Sequence, residues 1–280
     1  MALPDYTCFD VTLADGVAHL VLNRPNELNS MNAAFWRELP DAVTTISREA
    51  LARVVVISST GKHFCAGMDL SVFAAGDPTP DAEVGRRQAR MRSTVTALQW
   101  TATALEKARI PVIVAVQGGC IGGAVDLATA ADLRYCTEDA FLVVQEINIG
   151  MTADIGTLQR LGTCVPAGVA REMAYTGRRM PARRAYEVGL VQQVYADHAA
   201  LVEGALATAR EIAAKSPLAI WGTKVTMNHS RDHGVDSGLE QIATWQAGMF
   251  QPADMAEAFT AKMEKRDPVY PDLLPERDSL

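Results

Sequence analysis

The sequence predicts an α/β core followed by a helical C-terminal region, and three observations predict it. Apolar, β-branched runs at residues 17–23, 54–58 and 111–116 read as strands buried on both faces, as in a parallel sheet. Segments with helical spacing alternate with them. From about residue 201 only helical segments follow.

Taken in order, the strand at 17–23 ends in the turn Arg24-Pro25-Asn26, and residues 29–32 supply caps for a helix through about Ile46. Phe35, Leu39, Val43 and Ile46 form its apolar face. The second strand, at 54–58, completes a strand-helix-strand unit. Residues 61–70 form a turn that opens a helix, residues 76–82 read as an exposed, mobile loop, and a helix spans about 83–108. Strands at 111–116, 131–136 and 140–143 follow, then helices at 201–214, after Pro217, and at 252–265. The predicted division is a core over 1–200 and a helical region over 201–280, the latter used in assembly.

Composition excludes several functions. With 33 acidic and 26 basic residues, a formal charge of −7 argues against broad binding to nucleic acid or anionic membrane. The first long helix and the residues just past its end carry Arg37, Glu38, Asp41, Arg48 and Glu49, a balanced set rather than a basic face for RNA. Five cysteines without a Cys-x-x-Cys pattern suggest neither a disulfide framework nor a zinc site. His229 and His233 have zinc-ligand spacing but lack the accompanying Glu, and a surface helix accounts for them. No metal is expected. The acidic N-terminus is unlike a signal peptide, and no window approaches the roughly 18 apolar residues of a membrane span, so a cytoplasmic location is expected.

Function concentrates in residues 118–160, where Asp126, Glu146 and Asp154 stand in otherwise apolar company. The run Gly118-Gly119-Cys120-Ile121-Gly122-Gly123 lacks the Lys-Ser/Thr of a phosphate loop and the Gly-x-Gly-x-x-Gly of a dinucleotide site. It reads as a turn exposing backbone N–H groups at a helix start, where negative charge is stabilised. Cys65-Ala66-Gly67-Met68-Asp69 offers a second such turn. Two turns aiming N–H groups at one oxygen make a backbone oxyanion hole.

These two segments, with residues 156–161 and 185–191, resemble the signatures of the enoyl-CoA hydratase/isomerase, or crotonase, superfamily over nearly the whole chain. The resemblance implies a spiral of repeated β-β-α units, assembled as trimers or as hexamers of paired trimers, acting on an acyl-CoA thioester with no separate cofactor. It places the oxyanion-hole N–H groups at Met68 and Gly123. It further suggests Arg24 near the CoA phosphates, Ala66, Asp69 and Leu70 beside adenine and pantetheine, and Lys262 reaching the nucleotide end from the last helix.

Within that superfamily the pattern Asp126, Glu146, Asp154 resembles the 3,5-dienoyl-CoA to 2,4-dienoyl-CoA isomerases of unsaturated fatty acid β-oxidation, whereas hydratases use Glu at the first two positions and usually glycine at the third. The resemblance implies Glu146 as base at C2, Asp154 as acid at C6, its pKa raised by apolar surroundings and the other two acids, and Asp126 tuning the pair. Enoyl-CoA hydration through Asp126 and Glu146 is the alternative, and a non-catalytic binding protein of this fold is a third. Each acid also has a structural alternative: Asp126 capping a helix, Glu146 pairing with Arg160, Asp154 capping a helix near Ile155.

Overall fold

The strands are β1 (Phe9–Ala14), β2 (Val17–Leu22), β3 (Val54–Ser59), β4 (Val112–Val116), β5 (Gly119–Ile121), β6 (Leu133–Thr137), β7 (Phe141–Val143), β8 (Met180–Pro181) and β9 (Gln193–Tyr195). The helices are α1 (Phe35–Arg48), α2 (Leu70–Ala74), α3 (Val84–Lys107), α4 (Gly123–Ala130), α5 (Thr157–Cys164), α6 (Ala167–Thr176) and α7 (Ala182–Glu187), then α8 (His198–Ala213), α9 (Pro217–His233), α10 (Val235–Met249) and α11 (Pro252–Glu264). The computed structural model describes residues 3–74 and 80–276. Most of the loop expected at 76–82 lies outside the described residues.

The main sheet has the order β1-β2-β3-β4-β6-β9, and all its pairs are parallel except β1 with β2. As their unbroken apolar runs predict, β3 and β4 are buried along their whole length. A second sheet, β5-β7-β8, branches off where β4 runs into the glycines. The pairs β4/β5 and β6/β7 each feed a long strand into the main sheet and a short one into the second, as in the β-β-α spiral that the resemblance implies.

The core lies on both faces of the main sheet. On one, Leu20, Ile57 and Val114 meet Phe35, Leu39 and Ile46 of α1 and Leu105 of α3. On the other, Val54, Val56, Ile113 and Ala115 are covered by Leu201, Ala205 and Ala209 of α8. Burying each large side chain contributes roughly 1.5–3 kcal/mol. The expected boundary between residues 200 and 201 thus falls inside α8, a helix packed on the sheet. Beyond it, α9 to α11 leave Met227, Leu239, Phe259 and Met263 exposed on the single chain, as is Phe250 between α10 and α11.

Buried cations pin the layers together. Lys224 of α9 donates from Nζ to the carbonyls of Leu105 and Ile110 and to Asp132, so all three of its protons are used. Arg109 likewise donates to the Ser47 and Arg48 carbonyls at the end of α1.

Candidate active site

The site forms where the turn after β3 meets the turn after β5. Isolated bridges join Met31 to Met68 and Cys65 to Cys120, stitching the first turn between two others. Gly67 has φ +86° and Gly122 φ +55°, left-handed conformations that glycine adopts without strain. The turns leave no room for a side chain: a Cβ on Gly67 would lie 2.7 Å from the Ile121 carbonyl oxygen and 3.7 Å from Gly122 Cα.

Each glycine orients the peptide that follows. The Gly67 carbonyl accepts from Met31 N (2.8 Å) and the Gly122 carbonyl from Val125 N (2.7 Å). In a trans peptide the N–H points opposite its carbonyl, so the Met68 and Gly123 N–H groups point away from these bonds. Neither donates to an acceptor among the described residues. Gly123 also begins α4, whose dipole favours negative charge there.

Both N–H groups border a cavity of about 210 Å³ lined by Trp36, Ala66, Met68, Leu70, Ile121, Gly123, Glu146, Ile149, Met151, Asp154 and Ile155, among others. It is largely apolar, with two carboxylates. Glu146 opens a short 3₁₀ turn, Glu146–Ile149, and its Oε1 lies 3.2 Å from where a Gly122 Cβ would stand. A side chain at 122 would therefore crowd both the turn and the acid.

Asp126 does not line the cavity. It sits behind it on α4, 1% exposed, its Oδ1 accepting from Thr157 N at 2.6 Å. Burial pushes its carboxyl up to about 7; contacts with Thr157 oppose this, and the Glu146 charge adds to it. Glu146 is also raised, by burial first and by the Asp154 charge as well. Asp154 itself is exposed at the cavity wall of the single chain. The apolar enclosure expected around it surrounds the other two acids instead.

The structural alternatives for the acids resolve differently. Asp126 does cap a helix, though it is α5 rather than its own. Arg160 pairs with Glu106 at 2.8 Å, not with Glu146. Gly156 occupies the N-cap of α5 without side-chain capping, so Asp154 is not its cap.

Among the proposed binding residues, Ala66 and Leu70 line the cavity, whereas Arg24, Asp69 and Lys262 do not. Arg24 donates to the Ser30 carbonyl at 2.6 Å and lies 3.6 Å from Asp69, whose carboxylate also accepts from Ser30 and Ser71. Those hydroxyl bonds hold Asp69 well below the usual carboxylate range. Lys262 is exposed on α11. Sequence reasoning missed Trp36, whose Nε1 donates to the Met31 carbonyl at 3.1 Å beside the first turn, and the wall formed by Ile149, Met151 and Ile155. The apolar face of α1 was the available signal for Trp36; the wall residues carried none. His63, beside the turn, is structural: its Nδ1 accepts from Gly119 N at 2.9 Å.

Two N–H groups with no acceptor among the described residues border an apolar cavity that also holds two carboxylates, an arrangement able to stabilise an oxyanion and move protons. Residues 12–273 match the enoyl-CoA hydratase/isomerase family, and the chain belongs to it. It is 42% identical over 266 residues to the mouse protein named Delta(3,5)-Delta(2,4)-dienoyl-CoA isomerase, mitochondrial, covering 94% of this chain and 81% of that one. Identity to the Arabidopsis thaliana peroxisomal protein of that name is 40%, over 92% of this chain and 93% of that one. Among solved structures, enoyl-CoA hydratase from Bacillus anthracis superposes with a TM-score of 0.83 at 32% identity, over 94% of this chain and 99% of that one.

Proposed function

We propose that the chain isomerises 3,5-dienoyl-CoA to 2,4-dienoyl-CoA in the β-oxidation of unsaturated fatty acids. The observation that carries this is the pair of carboxylates, Glu146 and Asp154, on one cavity that also holds the two free N–H groups. The names of the relatives point the same way.

The thioester oxygen sits between the Met68 and Gly123 N–H groups. Glu146 takes a proton from C2, the C2–H electron pair passes into the conjugated system, and charge collects on that oxygen as a dienolate. Asp154 then gives a proton to C6, forming the new C–H bond and leaving the double bonds at 2 and 4. One proton leaves and one arrives, so the atoms balance. Turnover ends with Glu146 protonated and Asp154 ionised, and exchange with water resets the pair. An acyl chain lying against Ile149, Met151 and Ile155 would run past Asp154 on the same wall. Asp126 acts from behind the cavity, fixing the start of α5.

Arg24, Ala66, Asp69, Leu70 and Lys262 are assigned to CoA, with Arg24 held by Ser30 and Asp69. CoA is part of the substrate, and no further cofactor is assigned. The exposed apolar side chains of α9 to α11 support a homotrimer or a dimer of trimers. No helix among the described residues is long and apolar enough to cross a membrane. Five free thiols support a reducing compartment, for which we keep the cytoplasm, although relatives are named mitochondrial and peroxisomal.

The test is ultraviolet absorbance with 3,5-octadienoyl-CoA. Appearance of the conjugated 2,4-dienoyl-CoA supports isomerisation. Inertness there, with water added to crotonyl-CoA, supports hydration through Asp126 and Glu146 instead.

A further inference from the structure

The carboxyl of Asp154 accepts no hydrogen bond from the described residues, so its placement depends on its backbone. That backbone is held from one side. Gln99 of α3 donates from Nε2 to the Asp154 carbonyl oxygen at 2.7 Å. Six residues after Asp154, Arg160 donates to Thr103 Oγ1 at 3.1 Å and to Glu106 Oε2 at 2.8 Å and 3.0 Å. Gln99, Thr103 and Glu106 fall at i, i+4 and i+7, one face of α3. Between the two anchors, Gly156 lies so close to the Arg160 guanidinium that a Cβ there would collide with it. Arg231 of α9 takes the other oxygen of Glu106 at 2.5 Å, fixing Glu106 in turn. The segment carrying Asp154 is thus tied at both ends to one helix face.

We infer that Gln99 is a positioning residue for the distal proton transfer: with Thr103 and Glu106 it sets where the Asp154 carboxyl stands relative to C6, without touching substrate. This rests on Asp154 being the acid, as proposed above. Gln99 serves only one of the two proton transfers, because Glu146 stands on a different turn, closed by the Met151 N–H to the Glu146 carbonyl. Its loss should therefore separate the two steps, which general loosening of the fold would not do.

The experiment compares wild type, Gln99→Met, Asp154→Asn and the double variant in D2O with 3,5-octadienoyl-CoA. It reads formation of the 2,4-dienoyl product and deuterium uptake at C2 of recovered substrate. Methionine keeps the length and apolar stem of Gln99 but has no donor. The expected result is product formation slowed about tenfold, the scale of a displaced catalytic group, with C2 exchange unchanged and no further loss when Gln99→Met is added to Asp154→Asn. Thr103→Val, which removes the Arg160 contact, should shift the same ratio in the same direction. Wild-type product formation by Gln99→Met, or a parallel fall in C2 exchange, would overturn the inference. Full product formation by Asp154→Asn would instead remove the acid assignment itself, and the role of Gln99 with it.

Discussion

Asp126 Oδ1 accepts the Thr157 N–H at 2.6 Å, so an acid on one buried helix fixes the start of another just behind the catalytic cavity. The bond can be made by a neutral carboxyl as well as a charged one, and burial favours the neutral form up to a pH of about 7.

A pH dependence of stability follows. The folded state holds this proton up to about pH 7, whereas the unfolded chain releases it near the ordinary aspartate value of 3.8. Folding therefore binds a proton between these limits, and this group's contribution falls as pH rises through that window, levelling off above it. Asp126→Asn keeps an acceptor for Thr157 and removes the charge. Thermal unfolding should show the variant more stable than wild type at pH 8, by a few kcal/mol at most, and nearly equal to it at pH 4. A constant difference across this range would contradict the assignment.

The two glycine turns supply a second test. Because the donors are backbone N–H groups, Met68→Ala should change kcat little. Gly67→Ala must either move the Ile121 carbonyl or leave its positive φ, and displacement of an oxyanion donor costs about 10²–10³ in kcat. Steady-state kinetics on the two variants side by side make the comparison; equal losses would place the oxyanion elsewhere.

Charge coupling across the cavity gives a third. Burial, then the Asp154 charge, raise the Glu146 carboxyl, so deprotonation at C2 should fail on the acid side at a pH above the ordinary carboxylate range. Removing the Asp154 charge lowers that pKa. In Asp154→Asn, the acid limb of kcat/KM for deuterium exchange at C2, which reports the free enzyme rather than the complex in which Asp154 carries the proton to be delivered, should move to lower pH; a limb that stays put would mean that the two carboxyls do not interact.

Assembly can be tested on the last helix. Phe259 and Met263 are 61% and 77% exposed on the single chain, too apolar a surface to leave to water. Phe259→Glu should reduce the native mass measured by light scattering from a multiple of the chain to the monomer. An unchanged mass would place the interface elsewhere.

Much of this was legible in the sequence, for a physical reason. Strands buried on both faces, such as β3 and β4, announce themselves as unbroken apolar runs, and the glycine doublets mark the turns because only glycine fits there. Of the small sheet only β7 was legible, as the apolar run at 140–143: Gly119–Ile121 and Met180–Pro181 are too short to show a period, and β1, mostly exposed, pairs antiparallel at the edge of the main sheet. The three acids were visible, but not which of them faces the cavity. Asp126 reads the same on either side of α4, and only the fold turns it toward Thr157. Gln99 was invisible, since one amide on a long polar helix carries no mark of the carbonyl it meets.

The central claim is that two carboxylates serve the two ends of the dienoyl group, and isotope tracing tests it most directly. A single turnover of substrate deuterated at C2, run in ordinary water with product analysed by mass spectrometry, asks where the proton at C6 comes from. Separate acids at Glu146 and Asp154 predict that C6 receives a solvent-derived proton and that the C2 deuterium is lost to water. Deuterium transferred from C2 to C6 would mean that one group carries the proton the whole way, and the two-acid account would be wrong.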